Sequence, residues 1–201
     1  MHRLEPLPAA FARYDAIGGA LEFHVFEDAD GGVEEAVALI QQAVPDADLD
    51  ALRDLGFREI DDQKFYGGSY DATSDSLLKL GNWGAQGRLI NPRLRDLESL
   101  LLTGGGLIPE PGLGGEFAHA FSFTPYGLRA SPVEVQELFD KVRHVILPPR
   151  LPHIIRDWAS PELVKVSPIF EQGMEWWGVF LFTIYVPDWR RHTVIVGSTT
   201  D

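Results

Sequence analysis

Apolar positions along this chain recur in two rhythms, one helical and one of period two, and the two interleave from the N-terminal third to the end. Residues 20–27 (ALEFHVFE) are rich in β-formers and run into an Asp-rich turn, which predicts a strand. Beyond the turn, Val33, Ala36, Val37, Ile40 and Val44 recur at helical spacing until Pro45 stops them. Asp48 is placed to cap a short helix through Leu49, Leu52 and Leu55, with Gly56 as its stop, and residues 57–60 predict a second strand. Residues 61–90 have loop composition with aromatics inserted. Asn91 and Pro92 then open a predicted helix carrying Leu94, Leu97 and Leu101 and ending at Gly104.

The glycine-rich stretch 104–115 reads as a long connection, either a mobile lid or a subdomain boundary. After it, residues 116–124 (EFAHAFSFT) alternate. Phe117, His119, Phe121 and Phe123 fall on one side and Ala118, Ala120 and Ser122 on the other, which predicts a strand. Ser131, Pro132 and Glu134 open the best-defined helix, whose apolar stripe is Val135, Leu138, Phe139, Val142 and Ile146. Residues 175–186 are apolar on both faces, as an interior strand is, and Trp176 and Trp177 would point to opposite sides of it. The turn Pro187-Asp-Trp-Arg-Arg returns the chain along residues 192–197, whose edge offers a route to pairing with a second copy. The whole predicts one α+β domain over residues 1–201: a mainly antiparallel sheet with a C-terminal β-hairpin and three to five helices packed on it.

Charge sharpens the picture. The formal net charge is −13, and residues 22–75 hold fifteen acidic against three basic residues, a net of −12. Such a surface repels phosphate backbones, which argues against nucleic acid and for a basic protein partner. The residues expected to meet that partner are Glu27, Asp28, Asp30, Glu34, Glu35, Asp61 and Asp62. Trp189 joins them, at a turn beside Arg190 and Arg191, because Trp and Arg concentrate binding energy at interfaces. With no cysteine there is neither a disulfide framework nor thiol chemistry. The longest apolar run, 178–186, is far short of a membrane span, and prolines and acids interrupt the N-terminal segment where a secretory leader needs an apolar stretch. A cytoplasmic protein is expected, and the excess of arginine over lysine, 13 to 4, suits a GC-rich bacterial genome.

Motifs for chemistry are sparse. Asp28-x-Asp30-Gly31 begins like a calcium loop, but Gly32 and Leu39 stand where further ligands belong. The 104–115 glycines follow a predicted helix and precede a predicted strand, the wrong order for a phosphate loop, and they lack its lysine. Neither a metal nor a cofactor is expected. His153 and Asp157 would share a face if their segment were helical. His119, among phenylalanines, is the best candidate for a perturbed histidine; Tyr126, Arg129 and His192 complete the polar groups that could line a pocket near the 104–115 loop. The favoured reading is a non-catalytic interaction protein, of the inhibitory or toxin-neutralising (immunity) kind, that docks a basic partner on the acidic face. The alternative is an enzyme or ligand binder built around His119.

Overall fold

In a computed structural model of the chain, the described residues are 1–80, 82–83, 89–97, 117–174 and 177–198. The elements run β1 (His2–Arg3), α1 (Ala9–Ala16), β2 (Glu22–Glu27), α2 (Val33–Ala43), α3 (Leu49–Leu55), β3 (Arg58–Ile60) and α4 (Asp62–Tyr66). Short strands β4 (Tyr70–Asp71), β5 (Ser76–Leu77), β6 (Asn82–Trp83) and β7 (Leu89–Ile90) follow. The remainder is α5 (Phe117–Ser122), α6 (Pro132–Ile146), β8 (Ile154–Asp157), α7 (Ile169–Gly173), β9 (Phe180–Val186) and β10 (Arg191–Gly197).

Six strands form one antiparallel sheet in the order β1-β2-β10-β9-β8-β3, so the fold is α+β with a C-terminal hairpin, as the pattern predicts. Strand alternation sends Phe23, Val25, Phe180, Phe182, Ile184 and Ile195 to one face, where α1, α5 and α6 close over them. Phe26, Leu181, Val194 and Val196 face the other way, against α2, α3 and α7. The helix starts follow their caps. Asp48 accepts the N–H groups of Asp50 and Ala51, and the Ser131 hydroxyl accepts that of Glu134.

Several expectations change. The described residues contain seven α-helices rather than three to five, because α4, α5 and α7 are one-turn pieces whose apolar signal is too short to read. The alternating segment 117–122 is the helix α5, not a strand. Phe117, Ala118, His119, Ala120 and Phe121 are all buried, and a segment enclosed on every side satisfies its own backbone as a helix; alanine favours this. The same residues carry a helical i,i+4 signal. Phe117 and Phe121 share a side, and His119 stacks on Phe123 with centroids 5.1 Å apart. The helix expected from Asn91 is replaced over the described residues by a 3₁₀ turn, Leu94–Asp96, that plugs Leu94 into the core; its continuation through Leu101 lies outside the described residues. So do the 104–115 stretch and Trp176. Strand β9 starts only at Phe180, and Trp177 sits in the preceding turn, its indole N–H donating to the Phe123 carbonyl at 2.7 Å. Nor is β10 an edge: β2 and β9 flank it on both sides, so it offers no ladder to a second copy.

The helical form of 117–122 has a mechanical consequence. Ala120→Leu is expected to overpack the core and cost about 1–3 kcal/mol. Phe117→Ala, which removes a ring stacked on Phe65 at 4.8 Å, is expected to cost about 3–5 kcal/mol. Urea denaturation reads both, and an Ala120→Leu midpoint equal to wild type would put that alanine at a surface and contradict the helix.

Candidate functional site

Below the β3 edge of the sheet, α4, the C-terminal turn of α6 and the loop 147–150 enclose a groove of about 1430 Å³. α4 starts where the Asp61 carboxylate accepts the Lys64 N–H at 2.9 Å, and it turns Phe65 and Tyr66 inward. Tyr66 and Tyr70 stand ring to ring at 4.4 Å. Arg143, one helical turn past Phe139, comes up beneath them and donates through Nη1 to the Tyr70 hydroxyl and to Asp75, and through Nη2 to the second Asp75 oxygen at 2.7 Å. Arg143 therefore holds the Asp75 carboxyl at about 2, below the usual range, while burial pushes the Tyr66 and Tyr70 hydroxyls up. Asp75 (φ 54°) and Arg150 (φ 69°), both lining the groove, sit in the left-handed region that non-glycine residues avoid.

His153 lies at the groove wall. Its Nδ1 is 2.9 Å from the Leu151 carbonyl and its Nε2 is 2.6 Å from Asp62 Oδ1. Asp157 pairs with Arg58 at 2.6 Å across the β3–β8 register. His153 and Asp157 thus serve different partners, because the segment enters a strand rather than a helix.

Three pairs share one polarity, with the base inside and the acid outside. The side chains of Arg143 and Asp75 are 10% and 56% exposed, those of His153 and Asp62 are 22% and 56%, and those of Arg156 and Glu59 are 5% and 64%. Arg143 thereby fixes the Asp75 carboxylate, which still shows oxygens to solvent, while Arg156 and Glu59, 3.8 Å apart, share the other face of the sheet edge. Arg58, Lys64 and Arg150 add exposed positive charge along the same groove. The arrangement fixes charges and phenols in place. Among the described residues no group of three or more His, Asp or Glu side chains could hold a metal ion.

The predicted acidic face divides in two. Glu27, Asp28, Asp30, Glu34 and Glu35 surround the start of α2 and the β9–β10 turn, where they meet internal bases. Arg191 reaches Glu27 at 2.7 Å, Arg190 reaches Asp30 at 3.1 Å, Arg53 reaches Glu34 at 3.1 Å and His2 lies 3.2 Å from Asp28. Glu35 turns inward, accepting the Asp30 and Gly31 N–H groups and the His192 ring at 3.0 Å. Trp189 folds back on its own hairpin, with the Arg191 guanidinium 4.7 Å from its ring centroid and His144 at its edge. Asp61 and Asp62 belong to the groove instead, four strand spacings from β2, or roughly 19 Å at about 4.8 Å each.

The groups proposed for a pocket near His119 do not converge. His192, with its Nδ1 on Glu35, projects from the α2 side of the sheet; His119 on α5 is buried on the opposite side; Tyr126 and Arg129 are exposed near the following turn. Tyr66, Tyr70, Asp75 and Arg143 escaped the sequence reading. One signal was present: Gln136 and Arg143, two turns apart, border the apolar stripe of α6, and Gln136 accepts the Leu77 N–H at 2.8 Å.

Burial moves the His119 ring from its usual 6.5 to about 4, and it also lowers His192 against the opposing pull of Glu35. The unfolded chain thus takes up the His119 proton first as pH falls. Stability is whole above about pH 6.5 and drains away down to about pH 4, by roughly 3 kcal/mol for this residue. His119→Gln is expected to flatten that slope in urea titrations at pH 7 and 4.5; an unchanged slope would show that the ring is not buried neutral.

Comparison with protein-family models, with curated proteins and with solved structures finds no match to this chain.

Proposed function

We propose that this protein is a non-catalytic interaction module that binds a basic partner protein in the groove between β3, α4 and the end of α6. The observation that carries the reading is the groove itself. At about 1430 Å³ it exceeds the roughly 300–1,000 Å³ of small-molecule pockets, and its exposed carboxylates Asp62 and Asp75 are held in place by bases behind them. A fixed carboxylate loses little side-chain entropy when a lysine or arginine docks on it, and complementary charge speeds encounter. The acids around α2 serve less well, since Glu35 is turned inward onto His192 and Glu27 lies part-buried against Arg191. An acidic inhibitor or immunity protein acting on a basic toxin or enzyme in a bacterial cytoplasm has this chemistry. No helix among the described residues is long and apolar enough to cross a membrane.

The test is capture of partners by the immobilised chain at about 50 and 500 mM salt, a range over which surface attraction is strongly screened. A basic protein is expected at low salt and not at high salt. The double variant Asp61→Asn/Asp62→Lys, in which asparagine still caps α4, is expected to weaken its retention about tenfold or more, while Glu34→Lys changes it little. Equal retention by the groove double variant and wild type would remove the groove as the partner site.

A further inference from the structure

The hydrogen-bond phase of the sheet shows what the groove's upper rim presents. Trp158 N–H donates to the Leu181 carbonyl at 2.9 Å. In an antiparallel ladder the main-chain groups of successive residues point to opposite sides, so Arg156 and Ile154 also face β9, and Ile155 and Asp157 face β3. Through the register Arg58↔Asp157, Glu59↔Arg156 and Ile60↔Ile155, residues 58 and 60 spend their groups on β8. The Glu59 N–H and C=O therefore point away from the sheet. The same counting at the opposite edge turns Val25 toward β1, where its carbonyl accepts the Leu4 N–H at 2.8 Å. Asp61, still extended at φ −87° and ψ 172°, continues the outward phase by one N–H. Among the described residues no strand pairs with this side of β3.

We propose that an extended segment of the partner adds to β3 as a seventh strand, bonding the Glu59 main chain and placing a lysine or arginine beside the Glu59 carboxylate. The inference rests on the groove being the partner site. Strand addition draws its affinity from main-chain bonds and its specificity from alternate side chains. On β3 those side chains are Arg58 and Ile60 toward the groove and Glu59 toward the other face. A basic residue opposite Glu59 makes a favourable cross-strand pair, and the neighbouring positions of the segment face the groove that Asp62 and Asp75 line. The same charge selects against a second copy of this chain. An antiparallel β3–β3 pair centred on Glu59 would set two glutamates directly opposite, which is destabilising. The shortness of β3 and its exposed Arg58 and Glu59 also blunt promiscuous edge pairing, so only a segment supplying the complementary charge gains.

The experiment uses the full chain, labelled for amide hydrogen exchange, with a short capped peptide of alternating valine and arginine as the probe. Saturating peptide is expected to slow exchange at the Glu59 amide about tenfold or more, with little change at Arg58 and Ile60, which are already bonded to β8. Glu59→Pro, which removes the outward N–H but no bond to β8, is expected to weaken peptide binding about tenfold. Glu59→Ala keeps that amide, so it should retain the protection with reduced affinity; this arm stays informative if the proline variant fails to fold. Peptide binding without protection at Glu59 overturns strand addition and leaves the groove reading standing. So, against the inference, would no binding at about 1 mM, or equal binding of an alternating valine–glutamate peptide. Protection of Glu59 in the free chain, together with a dimer by sedimentation, would assign the edge to a second copy and overturn it as well. The groove reading itself is decided separately by the salt-dependent capture.

Discussion

β9 and β10 pair over seven residues, from Arg191↔Val186 to Gly197↔Phe180, and neither face of that pair can be left to water. Burial of each large apolar side chain is worth about 1.5–3 kcal/mol, so the chain must supply a helical layer on both sides. It does so from separated stretches: α1, α5 and α6 on one face, α2, α3 and α7 on the other. The polar residues within the sheet then need partners in those layers. Trp158 donates to Thr183, Glu35 accepts from His192, and Arg156 donates to the Gly31 carbonyl. Gly31, at φ 77°, lies so close over the Tyr185 ring that a Cβ would overlap it. The acidic turn before α2 is thereby part of the scaffold, pinned down by the strand pair it covers.

That scaffold explains why two regions of similar composition present different surfaces. Around α2 the bases are mixed: Arg53, Arg190 and His2 are exposed beside their acids, while the more buried Arg191 and His192 draw Glu27 and Glu35 toward the sheet. Along the groove, Arg143 and His153 lie behind their carboxylates, because α6 and the residue leading into the short strand β8 deliver them from the fold. A buried cation stripped of its acid is costly, so the Asp75 carboxylate is tied to the stability of the core as well as to the surface it displays. Arg143 is the clearest instance: it bonds Asp75 and Tyr70 while lying over the Tyr70 and Phe139 rings. A site built this way is held in place by the fold itself.

Much of the architecture could be read from the chain because it depends on local rules. Asp48, Ser131 and Gly56 mark helix ends through their own side chains or their lack of one, and the two-faced apolar run 180–186 declares an interior strand. The segment 117–122 was misread because FAHAFS satisfies period two and i,i+4 spacing at once; only the presence of packed neighbours on every side decides for the helix. The number of acids is plain in the chain, but the bases that hold them are not. Arg143 is 68 residues from Asp75, and His153 is 91 from Asp62. Sequence by itself determined the fold class, the capped helices, the hairpin and the acidity. Which carboxylates face solvent with a buried base behind them, and which edge of the sheet stays unpaired, was decided only by tertiary structure, because both depend on contacts between residues that nothing local brings together.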